Sequence, residues 1–332
     1  MLILLQLFLM LLVILLAAEV FTNALEHLGE KIGISEGVTG SLFAAVGTAL
    51  PETMVPLLAL LSGASSAEVN AEIGVGAILG APLMLSTLSV SLMSVAVFRD
   101  RGIQGLFTPE RTGLERDLNV FLAAFSLSIL ALYLPNGQWR LAMAVGLVLL
   151  YVTYVILTVQ ASEELVEQGH ETEAENPLFL TYLKLPKNTA TIALQLAIGL
   201  GLLVGGAKGF INGVEAGAHL LGISTLLLSL LIIPVATELP EKVNSILWVR
   251  RKKDTLAFGN ITGAMVFQGT LLPAIGITLT PWEPRKEVVA GVILTFLGSL
   301  WLRVVLARGG IRVWHLWING ALYLTYLAIT LG

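Results

Sequence analysis

The sequence predicts an all-α membrane protein whose ten transmembrane helices form two inverted five-helix repeats. Three observations support this fold class. Of the 332 residues, 56% are hydrophobic and 13% are charged, and apolar segments recur at about 20 residues, the length that spans a bilayer. A pattern in the first half returns in the second at a constant offset of 189 residues. Basic residues are concentrated in loops that would share one side of the membrane.

The apolar segments divide into five candidate spans in each half of the chain. Those of the first half are 2–28, 36–61, 72–97, 117–134 and 139–160. Those of the second half are 189–216, 224–249, 255–280, 287–306 and 313–331. The first segment lacks the basic residues that open a secretory signal peptide, so we interpret it as a retained first span.

A polar, acidic stretch separates the two halves and sets the domain boundaries. We predict a first repeat over 1–161, a cytoplasmic linker over 162–188 and a second repeat over 189–332. The linker contains no Asp-x-Asp-x-Asp-Gly calcium loop. A solvated linker is therefore favoured over a regulatory cation sensor.

The repeat is clearest in a six-residue motif. Gly-Thr-Ala-Leu-Pro-Glu at 47–52 corresponds to Ala-Thr-Glu-Leu-Pro-Glu at 236–241, within an ungapped match of 18–52 to 207–241. Such self-similarity indicates duplicated structural units. Because each unit contains an odd number of spans, the two units would insert with opposite orientation.

The basic residues assign the two sides of the membrane. With the central linker in the cytoplasm, fourteen Lys and Arg residues lie inside and three lie outside. Those inside are Lys31, Arg99, Arg101, Arg111, Arg116, Lys184, Lys187, Arg250, Arg251, Lys252, Lys253, Arg303, Arg308 and Arg312, and those outside are Arg140, Arg285 and Lys286. Under the positive-inside rule, we expect a multi-pass protein of the cell (plasma) membrane with both termini extracellular.

The motif combines a carboxylate with a broken helix inside an apolar span. An ionisable residue there is expensive and usually functional. Pro240 has no N–H for the carbonyl of Ala236, so backbone oxygens become free beside Glu241. The plainer alternative is a proline-kinked helix whose Glu241 pairs with Lys242 or with a neighbouring span.

Each copy of the motif offers several oxygen ligands. Thr48 and Thr237 precede Glu52 and Glu241 by four residues, one helical turn away on the same face. Together with freed carbonyls, these groups form an all-oxygen site suited to Ca²⁺, Mg²⁺ or Na⁺. Small residues in the third and eighth spans favour close helix packing over direct ligation; they are Gly74, Gly76, Gly80, Ala81, Gly259, Gly263 and Ala264.

Glu238 and Lys242 leave two interpretations open. Their i, i+4 spacing, with Glu first, favours an ion pair, so the two charges would neutralise one another. Alternatively, Glu238 is a third cation ligand and Lys242 is a built-in counter-charge.

Other functions are disfavoured by what the sequence lacks. It has no cysteine, and its four histidines show no metal-ligand spacing. It has no motif for a catalytic nucleophile or a phosphate loop, so we expect no enzyme activity and no resident cofactor. Broken helices in inverted repeats favour alternating access over a channel. The expected partners are inorganic cations and the lipid bilayer, without nucleic acid, and the oligomeric state stays open.

The paired motifs, each followed by a Gly-x-x-x-Gly-Ala block, resemble those of the sodium/calcium exchanger (cation/calcium antiporter) family, and the resemblance covers nearly the whole chain. It implies alternating access to one central site and export of Ca²⁺ against Na⁺ or H⁺. By the resemblance, Glu52, Glu241, Thr48 and Thr237 are expected to be cation ligands. We add two candidates: Glu238, and Gln268, which stands where the family often has a carboxylate or Asn.

The chain departs from the family pattern at several polar positions. Ala49 and Glu238 stand where a Ser usually follows the motif Thr. Asn260 is kept, but family positions for polar ligands are taken by Ala77, Ala81, Pro82, Leu85, Ala264 and Met265. The alternative function is therefore a proton-coupled or Mg²⁺-selective cation exchanger of the same fold.

Overall fold

The computed structural model describes residues 2–32, 50–61, 66–135, 137–166 and 176–331. The helices are α1 Leu2–Ile32, α2 Leu50–Leu61, α3 Ala67–Met84, α4 Val90–Arg101, α5 Arg111–Tyr133, α6 Gln138–Val166, α7 Thr189–Leu221, α8 Thr225–Thr237, α9 Leu239–Arg250, α10 Asp254–Leu279, α11 Lys286–Ala307 and α12 Val313–Leu331. A π-helical turn, Leu85–Ser89, joins α3 to α4, and a 3₁₀ turn, Phe179–Leu183, precedes α7. Within these ranges no β-strand is present, which confirms the all-α class.

Fewer helices than predicted are long and apolar enough to cross a membrane unaided. Among the described residues there are six: Ala67–Arg101, Arg111–Tyr133, Gln138–Thr158, Thr189–Leu221, Asp254–Leu279 and Lys286–Ala307. Shorter apolar helices cover Leu5–Phe21, Glu52–Leu61 and Thr225–Val235. The predicted span 36–61 is described only from Leu50 onward, so motif residue Thr48 lies outside the described residues. The count of ten spans stays a prediction.

The predicted span 224–249 contains two helices. Helix α8 ends at Thr237 and α9 starts at Leu239, with Glu238 between them at φ −93° and ψ 12°. Pro240 lies in the first positions of α9, where its missing N–H costs nothing. The helix is therefore interrupted at a single residue, and the backbone bonds from Glu238 N to Pro234 O and from Lys242 N to Glu238 O are kept.

Helices α1 and α7 run antiparallel and in close contact. A Cβ added to Gly199 would meet Phe21, and one on Gly206 would lie 3.0 Å from Ile14 Cγ1. A Cβ on Gly213 would meet Leu7. Because the residue numbers fall along one helix as they rise along the other, the two helices point in opposite directions.

Helices α3 and α8 pack backbone to backbone. A Cβ on Gly76 would lie 2.5 Å from Ser229 Cβ, and one on Gly80 would lie 2.5 Å from Leu230 O. Glycine at these two positions is thus a condition of the contact, which confirms their predicted packing role. The repeat assigns Gly259 and Gly263 a partner in segment 36–49, outside the described residues.

A buried ion pair connects the end of α4 to the start of α10. Both terminal nitrogens of Arg101 donate to the Asp254 carboxylate at 2.7 Å, and the Asp254 side chain is 3% exposed. Phe107 N donates to Ile311 O at 2.8 Å. Three loops that the basic residues assign to one side therefore meet at one end of the bundle.

Two loops assigned to the other side are tied to the opposite ends of the same helices. Arg285 Nη1 donates to Glu72 Oε1 at 2.5 Å. Arg140 Nε donates to Leu134 O at 2.9 Å, and Arg140 Nη1 donates to Pro281 O. The first contact joins the start of α11 to the start of α3. The other two join the start of α6 to the end of α5 and to the residues that follow α10. The grouping agrees with the predicted loop sides.

The end of the predicted linker contacts α1 and α7. Asn23 Oδ1 accepts from Phe179 N at 3.1 Å and from Gln195 Nε2 at 2.8 Å. Leu178 is fully buried. A hydrogen bond from Lys187 lowers the pKa of Glu30. Residues 178–181 are therefore packed against the helices, whereas residues 182–188 are exposed.

Gly80→Ala should lower the melting temperature in detergent by several degrees. Its Cβ would overlap the Leu230 carbonyl, and overpacking of this kind costs about 1–3 kcal/mol. Gly146→Ala on α6 is the matched control, because a Cβ there meets nothing within 4 Å. A Gly80→Ala protein that melts with wild type, while Gly146→Ala does the same, would contradict the close α3–α8 contact.

Candidate functional site

Glu52 is a buried carboxylate in the first turn of α2. Its side chain is 3% exposed, and among the described residues neither of its carboxylate oxygens has a hydrogen-bond partner. The positive end of the α2 dipole favours the negative charge. Buried oxygens without a hydrogen bond are rare enough to require an explanation, and a bound ion is one.

Glu241 has the corresponding position in the second half, in the first turn of α9. Its side chain is also 3% exposed. Asn260 on α10 donates to Glu241 O at 3.1 Å and to Ser245 Oγ at 3.0 Å. This amide fixes the start of α9 against α10 and so holds the Glu241 backbone in place.

The structure brings the two repeated carboxylates into one electrostatic environment. The charges of Glu241, Glu238 and Lys242 all act on Glu52. Glu52 and Glu241, which are 189 residues apart in sequence, are therefore close enough in the fold for their charges to interact. The α3–α8 contact makes this possible, because α3 packs on α2 through Gly74 and on α8 through Gly76.

Glu238 forms an ion pair with Lys242. Lys242 Nζ lies 3.2 Å from Glu238 Oε2, and it also donates to Pro234 O at 3.0 Å. The Glu238 side chain is fully buried, and within the described chain its Oε1 has no hydrogen-bond partner. The predicted pairing is observed, and one carboxylate oxygen stays available.

Two further predicted residues supply neutral oxygens. Thr237 is 1% exposed and donates through Oγ1 to Ile233 O at 3.1 Å, which leaves its lone pairs to accept. Gln268 on α10 is 1% exposed and approaches the Glu238 carboxylate. Its Oε1 has no hydrogen-bond partner among the described residues.

The site is a set of mixed oxygens, not a cluster of acidic ligands. Among the described residues, no three His, Cys, Asp or Glu side chains lie close enough to hold a metal ion together. The oxygens without partners belong to Glu52, Glu238 and Gln268. Carboxylate, amide, hydroxyl and carbonyl oxygens in combination are the ligands that hard cations use.

Sequence reasoning missed Tyr323 on α12, which lies close enough to Glu238 for the two groups to interact electrostatically. Tyr323 does not belong to the repeated motif, and only the three-dimensional packing brings it there.

The chain is similar to other membrane proteins along most of its length. It is 25% identical to a putative antiporter, CaxA, of Alkalimonas amylolytica over 275 residues, which cover 80% of this chain and 77% of the relative. It is 26% identical to the inner membrane protein YrbG of Escherichia coli strain K12 over 321 residues, which cover 92% and 93%.

Two solved structures share its fold. The H⁺/Ca²⁺ exchanger CAX superimposes with a TM-score of 0.75 at 21% identity, covering 99% of this chain and 82% of the other. The sodium-calcium exchanger NCX_Mj gives a TM-score of 0.60 at 20% identity, covering 98% of each.

A family model described as sodium/calcium exchanger protein matches residues 2–160 and 191–332. These two segments contain both copies of the motif and every candidate ligand. The chain therefore belongs to the sodium/calcium exchanger family of transmembrane antiporters.

Proposed function

We propose that the protein is a secondary active antiporter that exchanges a divalent cation, most directly Ca²⁺, for Na⁺ or H⁺ at the Glu52–Glu241 site. The observation that carries the proposal is the buried Glu52 carboxylate. Among the described residues, both of its oxygens lack a partner, and the charge of Glu241 acts on it from the other half. A hard cation between the two carboxylates would satisfy their charge and their oxygens.

The proposed ligands surround the break between α8 and α9. Glu52 and Glu241 supply the charge, and Thr237 and Gln268 supply neutral oxygens. Glu238 is a further candidate with one remaining oxygen, and Lys242 offsets its charge; among the described residues the three carboxylates do not lie close enough together to hold one ion at the same time. The repeat adds Thr48 as the counterpart of Thr237. The transported cations are substrates, and we propose no resident cofactor.

The repulsion between the Glu52 and Glu241 carboxylates also couples the transport of the divalent cation to that of Na⁺ or H⁺. Two buried anions repel one another, and moving the empty pair across an apolar barrier is costly. One divalent cation, or two monovalent cations or protons, neutralises the pair and makes the movement feasible. The carrier would then change sides only when loaded, so that export of one ion requires import of the other.

Alternating access fits ten spans in two inverted repeats, which we propose as the architecture. The antiparallel packing of α1 on α7 supports opposite orientation of the two halves. The two family-model matches fall on either side of the 162–188 linker. The grouping of the loops at two ends supports the two predicted sides. The positive-inside rule then favours a cytoplasmic linker and extracellular termini, in the plasma membrane.

The second candidate is a proton-coupled or Mg²⁺-selective exchanger. The observation that favours it is the apolar character of positions 77, 81, 82, 85, 264 and 265. Sodium sites need several neutral oxygens, whereas protons need only the two carboxylates. An imposed pH gradient should drive divalent uptake without Na⁺ if this candidate holds, and an inward or outward Na⁺ gradient should have no effect.

Glu52→Gln and Glu241→Gln should each reduce ⁴⁵Ca²⁺ uptake into proteoliposomes to the protein-free background. Removing one anion from a low-dielectric site forfeits most of its attraction for a divalent ion. Glu68→Gln is the matched control, because that carboxylate is exposed at the start of α3. Size-exclusion profiles verify folding, and uptake near wild type by either site variant would refute the shared site.

Single-cysteine labelling tests the topology, since the native chain has no cysteine. In intact cells, a membrane-impermeant maleimide should label Gly332→Cys and leave His170→Cys unlabelled until the cells are opened. The unmodified protein is the background control. The reverse pattern, with position 170 labelled from outside and position 332 protected, would invert the proposed orientation.

A further inference from the structure

Lys242 is a buried cation that does not stabilise helix α9. It lies in the first turn of α9, where the positive end of the helix dipole disfavours a second positive charge. Its side chain is 7% exposed, and an ammonium group in an apolar span is costly unless it is paired. Its presence therefore has to be explained by groups outside α9.

Those groups lie across the helix break. Lys242 Nζ donates to Pro234 O at 3.0 Å and to Glu238 Oε2 at 3.2 Å. The Pro234 carbonyl also accepts from Glu238 N at 3.2 Å. Pro234 lies in the last turn of α8, and the carbonyls at the C-terminal end of a half-helix are among the groups that coordinate Na⁺ in other transporters. The ammonium thus occupies a position with the ligands of an alkali-cation site.

The ammonium also sets the charge of the candidate site. Glu238 and Glu241 both act on Glu52, and so does Lys242, with opposite sign. Without Lys242 the site would hold three carboxylates, and a mobile cation would have to neutralise the third. A cation tethered to α9 performs this neutralisation and cannot leave with the transported ions.

We propose that Lys242 is a tethered substitute for a bound alkali cation, permanently filling a position made by the Pro234 carbonyl and the Glu238 carboxylate. Its consequence for exchange rests on the proposed function, because a filled position removes one monovalent ion from each transport cycle. The occupancy of the position itself is a binding property and can be measured without transport.

The test counts alkali cations bound to purified Lys242→Met protein. Methionine keeps most of the apolar stem, is one atom shorter and removes the charged ammonium group. Equilibrium binding of ²²Na⁺ and ⁸⁶Rb⁺ is measured in detergent, with N-methyl-D-glucamine as the replacing cation. The variant should bind one more alkali cation per chain than wild type. This cation is either Na⁺ or the larger Rb⁺, depending on which one fits the position.

The matched control is the double variant Lys242→Met/Glu238→Gln, which also removes the carboxylate. It should return to the wild-type number of bound cations. If Lys242→Met is unstable in N-methyl-D-glucamine, Na⁺ or Rb⁺ should raise its melting temperature, since a ligand of the folded state stabilises it. The melting temperature of the double variant should depend on Na⁺ or Rb⁺ no more than that of wild type.

A folded Lys242→Met protein that binds no additional alkali cation would overturn the proposal. So would an unstable variant that neither Na⁺ nor Rb⁺ restores. Failure of the proposed function gives a different result: wild type would bind no ⁴⁵Ca²⁺, while the additional alkali cation of the variant would still be measurable.

Discussion

Two carboxylates buried within an apolar bundle are the constraint on which the rest of the structure depends. Glu52 and Glu241 are each 3% exposed, and charges buried in this way are tolerated only when something compensates them. The fold provides part of that compensation by placing both residues in the first turn of a helix. The remainder is the attraction that a cation would satisfy.

Bringing the carboxylates together requires unusually close helix packing. Gly76 and Gly80 place α3 directly on the backbone of α8, so that α8 ends beside the other half of the chain. Asn260 then fixes the start of α9 through the Glu241 carbonyl. The glycine contacts and the Asn260 amide thus set the positions of the charged groups, although none of these residues is itself charged.

Much of this arrangement follows from the sequence, since apolar length and the repeated motif are local signals. They locate the helices, the break near Pro240 and the roles of Gly76 and Gly80. The contact of residues 176–180 with the helices could not be predicted, because Asn23 and Gln195 meet the linker only after α1 and α7 have packed. The i, i+4 spacing of Glu238 and Lys242 left two interpretations open, and only the 3.2 Å contact established the pair. Tyr323 carries no sequence signal at all.

The central claim is that one buried site, shared by both halves, carries a divalent cation from one side of the membrane to the other. Counterflow measures this most directly, because it needs no assumption about the coupling ion. Proteoliposomes loaded with unlabelled Ca²⁺ and diluted into trace ⁴⁵Ca²⁺ should accumulate the label transiently above its equilibrium level. Accumulation no greater than in protein-free liposomes with the same internal Ca²⁺ would contradict the account.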